Sequence, residues 1–217
     1  MPKTRKIGLI QALACLLMLA MTAHASHAAE IRTIVLDPGH GGYDSGIKHE
    51  DMKEKDQTLK LATELTFLLE AMDKRVFLTR KIDTYMSLEE RQREVSKRQP
   101  ELFISIHMTD SDRFGVYHTW YRKSDKEVGL TGFYSIQSRQ RRYLYGSKLF
   151  AVDLENALKQ ELGAGVSRTQ MSLQLLDTIG APAILLEIPF DRVRDPEEVT
   201  FLVSAIVQAI LDYEQRQ

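Results

Sequence analysis

Three apolar runs share one form: Ile34-Val35-Leu36, Leu102-Phe103-Ile104-Ser105-Ile106 and Ala183-Ile184-Leu185-Leu186. None alternates strictly between apolar and polar, which fits strands of a parallel sheet covered on both faces. The first run passes into Asp37-Pro38-Gly39-His40-Gly41-Gly42 and on to Tyr43-Asp44-Ser45-Gly46. The second ends in His107 and the third in Glu187. Between the runs the spacing turns helical. Leu59, Leu61, Ala62, Leu65, Leu68 and Leu69 mark one stripe, on a helix beginning near Glu54. Asp83 and Ser87 are candidate caps of a second helix, with Glu90 placed for a capping box and Pro100 beyond an end near Arg98. A third helix is expected at about Ser147 to Leu162. A last one opens at Pro196 and runs from Val199 to about Glu214, its apolar face formed by Phe201, Leu202, Ala205, Ile206, Ala209 and Ile210. Further strands are expected at Arg75–Thr79, Gly115–Tyr121 and Ser172–Leu176. Lys48–Lys53 reads as a polar loop. Arg122–Gly146 is polar and takes no assignment; its run Arg139-Gln140-Arg141-Arg142 reads as a solvated face. Strands alternating with helices predict a single α/β domain: a mostly parallel, twisted sheet of about six strands with helices on both faces.

The first residues change this picture. Lys3, Arg5 and Lys6 precede an apolar stretch from Gly8 to Met21, and Ala23-His24-Ala25 and Ser26-His27-Ala28 follow. Residues 1–29 therefore read as a secretory signal peptide, with cleavage after Ala25, Ala28 or Ala29, and residues 30–217 as the mature domain. The apolar stretch is short for a membrane span, which needs ~20 residues. Of 29 Lys and Arg, three leave with this segment; 26 then face 30 Asp and Glu, a net charge of −4 with His neutral. That balance leaves no electrostatic footprint for nucleic acid. The single cysteine, Cys15, leaves too, so the exported chain is expected to fold without a disulfide, on its core and any metal it binds.

In open parallel sheets, ligands bind beyond the carboxyl ends of the strands. If the three runs are neighbours, His40, His107 and Glu187 meet along one edge. Two neutral imidazoles and a carboxylate make a catalytic zinc set with a fourth position left for water. The candidates for a third ligand are His49, Glu50, Asp51, Glu54 and Asp56; of these, Glu54 stands at a helix start, where a rigid element can hold it. Glu187 is then placed as a general base that accepts a proton from water and returns it to a leaving amine. Its alternative is an ion pair with Arg192 or Arg194. His118, among Val116, Tyr117 and Trp120, reads as a packed residue rather than a ligand.

Ile34–Gly46, Lys53-Glu54-Lys55-Asp56, Leu78-Thr79-Arg80 with Asp83, Ser87-Leu88-Glu89-Glu90-Arg91, Phe103–His107 and Pro182–Glu187 occur in this order. Along the whole mature chain this resembles the zinc-dependent N-acetylmuramoyl-L-alanine amidases of the cell-wall hydrolase type, amidase type 3. The resemblance implies Zn2+ held by His40, Glu54 and His107, with Glu187 as the catalytic carboxylate. It implies cleavage of the amide between N-acetylmuramic acid and the L-alanine of the stem peptide. Peptidoglycan or muropeptides would be the partners, and the place of action the periplasm or the cell wall outside the cell. A monomer without a membrane span is expected after signal removal. Two rival readings are a zinc peptidase on stem peptides and a weakly active or inactive peptidoglycan-binding protein. The chain departs from the family pattern at Met108-Thr109, at Ile188-Pro189-Phe190-Asp191 and at Asp177.

Overall fold

The computed structural model describes residues 30–120 and 140–217. Its first strand is β1 (Thr33–Pro38), every residue of which is buried. A small antiparallel hairpin follows, β2 (Lys48–His49) with β3 (Met52–Lys53), then helix α1 (Glu54–Glu70). Next come β4 (Arg75–Leu78), α2 (Leu88–Arg98), β5 (Leu102–Thr109) and β6 (Phe114–His118). Helix α3 (Leu144–Leu162), β7 (Val166–Gln170), β8 (Ala183–Pro189) and helix α4 (Pro196–Gln215) complete the order. One-turn 3-10 helices precede and follow β8. The six long strands form one sheet in the order β4-β1-β5-β8-β6-β7. The pairs β4-β1, β1-β5, β5-β8 and β6-β7 are parallel; only β8-β6 is antiparallel. The expected class, an α/β domain with a mostly parallel sheet of six strands and helices on both faces, is the one observed.

The two faces differ in thickness. Ile34, Leu36, Leu102, Ile104, Ile106, Ile184 and Leu186 point to the main core, where Leu61, Leu65 and Leu69 of α1 meet them with Phe150 and Leu154 of α3 and Leu202, Ile206 and Ile210 of α4. The alternate positions Val35, Phe103 and Ala183 belong to a smaller core closed by Val95 of α2 and by Leu176, Ile179 and Ala181 of the segment before β8. Period-two alternation places Asp37, Ser105, His107 and Glu187 on this thinner side.

Several local expectations are corrected. Lys48–Lys53 is a hairpin rather than a loop; it turns through Glu50, whose φ is +53°. Strands β5 and β8 run two residues past His107 and Glu187, because Met108 and Ile188 are buried and keep the ladder going as in-register partners. Ser172–Leu176 is not a strand: the edge strand is β7, four of whose five residues are polar, and Leu176 begins a 3-10 turn. Leu68 and Phe201 lie outside the apolar stripes assigned to them, 41% and 46% exposed. Ser87 forms the expected capping box with Glu90, whereas Asp83 caps nothing and binds the glycine turn instead. Residues 1–29, read above as a signal peptide, Tyr121 and most of the polar stretch after β6 lie outside the described residues.

The turn after β1 needs partners that a sheet cannot give. His40 adopts a left-handed conformation (φ +59°), which costs a non-glycine residue roughly 1–2 kcal/mol. Arg80 donates to the carbonyls of Pro38 and Gly39, and Arg91 to those of Pro38 and His40. Both guanidinium groups are buried. Arg91 also pairs with Asp37 Oδ1 at 2.7 Å, and the Thr79 and Ser105 hydroxyls donate to the same carboxylate. Burial alone would raise the Asp37 carboxyl, but Arg91 and the Thr79 hydroxyl more than offset it and hold the group below the usual carboxylate range. This stabilisation is present above the unfolded aspartate value of ~3.9 and is lost as pH falls through the lower folded value. Asp37→Asn leaves Arg91 buried without its anion and should cost about 3 kcal/mol at pH 7. Urea denaturation of parent and variant should show that gap shrinking below about pH 4; a gap of equal size at pH 3 would show that the charge is not what matters.

Candidate metal centre

Three elements bring the candidate ligands to the carboxyl edge of the sheet. His40 sits at the tip of the glycine turn, His107 near the end of β5, and Glu54 at the first position of α1. The Gly39 N–H donates to the Ile106 carbonyl, extending the β1–β5 pairing up to His107. Glu54 reaches over the edge from the main-core side, and its Oε1 accepts from the Met108 backbone N–H at 3.0 Å. That oxygen lies 3.0 Å from His40 Nε2 and 2.9 Å from His107 Nδ1. Oε2 accepts from the Ile47 N–H at 2.8 Å. The other nitrogen of His40, Nδ1, lies 2.8 Å from Asp44 Oδ2, which sets the ring's orientation.

The packing leaves no slack around these groups. A Cβ at Gly39 would fall within 2.8 Å of three His107 ring atoms. One at Gly46, where φ is +61°, would collide with the Glu54 carboxylate and the His40 ring. These glycines are spaces occupied by site side chains as well as turn formers.

The donor atoms of His40, Glu54 and His107 all lie within 4.8 Å of one another. Tetrahedral zinc, with bonds of ~2.0–2.2 Å, separates its ligand atoms by about 3.4 Å. Two imidazoles and one carboxylate at this spacing fit such an ion with little movement. Burial would raise the Glu54 carboxyl, but the imidazoles of His107 and His40 and the two backbone N–H groups hold it well below the usual carboxylate range. Burial would lower His40, but Glu54 and then Asp44 outweigh it and raise that imidazole. A carboxylate kept ionised, with two imidazoles against one of its oxygens, is a group that could hold a cation.

The other candidate ligands go elsewhere. His49 Nδ1 is 2.9 Å from Asp110, and its ring stacks on Phe190. Glu50 pairs with Arg194 at 2.6 Å. Asp51 and Asp56 are exposed. Arg192 pairs with Glu198, so neither arginine offered as a partner for Glu187 is paired with it. Glu187 stands beside His107 as its in-register partner across β5–β8. Its Oε2 accepts a 2.8 Å hydrogen bond from the Tyr117 hydroxyl. His118 is buried on the main-core side; burial and then the Arg168 charge lower it, which agrees with a packed, neutral ring.

Sequence reading alone missed Asp44, Tyr117 and the roles of Asp37, Arg80 and Arg91. Asp44 carried a local signal, four residues beyond His40. Tyr117 carried one only in hindsight of the sheet order, because β6 adjoins β8 through an antiparallel pairing.

The domain is thus an open α/β sheet carrying, at its carboxyl edge, a His–Glu–His group that could hold a metal ion, with a further carboxylate beside it. The chain belongs to the N-acetylmuramoyl-L-alanine amidase family, whose model matches residues 34–213. The probable cell wall amidase LytH of Staphylococcus saprophyticus subsp. saprophyticus is 31% identical over 187 residues, covering 83% of this chain and 55% of that protein. Its Staphylococcus aureus namesake matches at 31% over 188 residues with the same coverage. The chain thus spans about half the length of these curated relatives. Among solved structures, the N-acetylmuramoyl-L-alanine amidase AmiC2 of Nostoc punctiforme aligns with a TM-score of 0.68 and 24% identity, over 85% of this chain and 98% of that one. The catalytic domain of CwlV, an N-acetylmuramoyl-L-alanine amidase from Bacillus (Paenibacillus) polymyxa var. colistinus, aligns at 0.67 and 21%, over 84% and 98%. At these identities the structural likeness is one of fold.

The donor set makes a direct prediction. Purified protein titrated with zinc should bind one ion per chain. His107→Ala should lose more than the ~10–100-fold in affinity that an outer partner such as Asp44 is expected to contribute, and Asp44→Ala should fall within that range. His49→Ala should bind like the parent; a loss there equal to that of His107→Ala would make His49 a ligand.

Proposed function

We propose that residues 30–217 form an exported, zinc-dependent N-acetylmuramoyl-L-alanine amidase acting on peptidoglycan, with His40, Glu54 and His107 as metal ligands and Glu187 as general base and acid. One observation carries the reading: the three donor atoms converge on a point at the sheet edge where Glu187 is the adjacent in-register residue. Family membership supports the substrate, since the family is named for this bond. The cell-wall designation of the curated relatives supports action outside the cytoplasm. Among the described residues no helix is long and apolar enough to cross a membrane.

Bound in this centre, zinc would supply Lewis acidity and lower the pKa of water in the site towards ~7. The protein's own part is orientation and proton transfer. His40 is held by Asp44 and by the Arg91 contact to its carbonyl, so its Nε2 keeps one direction. Glu54 is held by two backbone N–H groups and a helix start. As water attacks the carbonyl carbon, the Glu187 carboxylate takes a proton from it. The same proton then goes to the amide nitrogen as the C–N bond breaks, leaving the lactyl carboxylate and a free L-alanine amine. His107 and Glu187, partly exposed at the rim, leave the substrate an approach from solvent.

Glu187→Gln keeps the shape and removes the proton transfer, which typically supplies ~10²–10⁴ in rate. The variant should fold, bind zinc as the parent does, and release stem peptides from purified peptidoglycan more slowly by a factor on that order. Products resolved by mass decide between readings: intact free stem peptides mark the amidase, shortened stems a zinc peptidase, and binding without cleavage a wall-binding protein. Export is tested separately, since N-terminal sequencing of the mature protein should begin between Ser26 and Glu30, and an intact Met1 on exported protein would rule cleavage out.

A further inference from the structure

A carboxylate that shuttles a proton has to present one oxygen in a constant direction. Glutamate has several free torsions, and fixing them costs entropy that some contact must offset. Strand β8 supplies no such contact from its own face, where the nearest same-side residues are Leu185 and Pro189. The contact comes from β6. Gly115 lies directly opposite Glu187 across the antiparallel pair, and Tyr117, opposite Leu185, is the next residue on the same side. Because position 115 has no side chain, the Tyr117 ring leans over it. A Cβ there would lie 2.6 Å from ring atom Cε2, 2.9 Å from the phenol oxygen and 3.0 Å from Glu187 Oε2. Through that space the hydroxyl reaches Oε2 at 2.8 Å. Burial and then the Glu187 carboxylate push the Tyr117 phenol up to about 12, so it remains a donor throughout the neutral range. Among the described residues no hydrogen bond reaches Glu187 Oε1.

We propose that Tyr117 is the positioning residue of Glu187: its hydroxyl anchors Oε2, Gly115 provides the space through which it does so, and Oε1 is thereby left, in one orientation, to move the proton. The proposal rests on the amidase reading and adds to it a residue outside the metal ligands and the base. It also gives a reason for a phenol, rather than any other aromatic side chain, on a strand whose remaining described residues are packed.

The test is a double-mutant cycle on stem-peptide release, using the full mature chain loaded with zinc. Tyr117→Phe keeps the ring and removes the donor. It should lower kcat on the order of 10-fold, as expected for a hydrogen bond to a charged group, with KM, zinc content and thermal midpoint at parent values. Gly115→Ala, which fills the space under the ring, should lower kcat in the same way. In a Glu187→Gln background Tyr117→Phe should cost nothing further, because the group it positions is gone. A parent that releases no stem peptide overturns the amidase reading and this proposal with it. An active parent whose Tyr117→Phe variant keeps full kcat overturns the proposal alone, as does a Tyr117→Phe loss that adds in full to that of Glu187→Gln.

Discussion

Everything at the sheet edge depends on three consecutive carbonyl groups that have left the β ladder. Pro38 is the last residue of β1, and Gly39 and His40 follow where the chain turns sharply. Their oxygens are buried or nearly so, and an unpaired buried carbonyl costs on the order of 1–3 kcal/mol. Two guanidinium groups settle that cost. Arg80 and Arg91 arrive from different segments and cover the three oxygens between them. Arg91 is balanced by Asp37, the last side chain of β1 on that face before the turn. Two buried cations against one buried anion would be untenable in a dry interior. Here the surplus positive charge rests on carbonyl dipoles, with Arg80 also donating to the Lys55 carbonyl at the start of α1. The arrangement ties the glycine turn, the helix carrying Glu54 and the two segments after β4 into one polar unit.

That unit explains why the donor set can be built from both sides of the sheet. His107 rises from the thinner face, while Glu54 comes from a helix packed on the main core. They meet because the β2–β3 hairpin delivers Glu54 at a defined height, pinned by the His49 stack on Phe190 and by the Glu50–Arg194 pair. Lys55 adds a further clamp, donating to the Gly42 carbonyl and pairing with Asp83, which in turn accepts from the Gly42 N–H. His49 and Glu50, candidates on chemistry alone, are instead the residues that position Glu54.

Much of this was legible in the residues because the site lies where elements end, and ends leave marks. The apolar runs before His107 and Glu187, the glycines around His40 and the Ser87–Glu90 box are local signals. What could not be read was lateral. The order β5-β8-β6 places Tyr117 at Glu187, yet 70 residues separate the two in sequence. Arg91 lies on a helix of mostly charged residues, yet it is buried and paired with Asp37 of β1. The edge strand β7 escaped because its Ser, Arg, Thr and Gln carry no apolar alternation; pairing with β6 makes it a strand, not its own composition. Among the five carboxylates and imidazoles that spacing alone left open, Glu54 is the one whose side chain lies against both His40 and His107.

The sheet order has a consequence for when the site can exist. Strand β8 sits between β5 and β6, although both precede it in the chain. Without residues 183–189 the sheet order leaves β4-β1-β5 and β6-β7 unconnected, each with an open edge facing the gap. His40, Glu54 and His107 belong to the first fragment, but the hairpin that sets Glu54 is pinned by Phe190 and Arg194, beyond β8. Glu187 travels on the strand that joins the two and cannot reach its place before that joining occurs. On the amidase reading, hydrolytic competence therefore waits for β8 and the segment just after it. A chain truncated before residue 183 lacks both the strand that carries Glu187 and the Phe190 and Arg194 that pin the hairpin before Glu54.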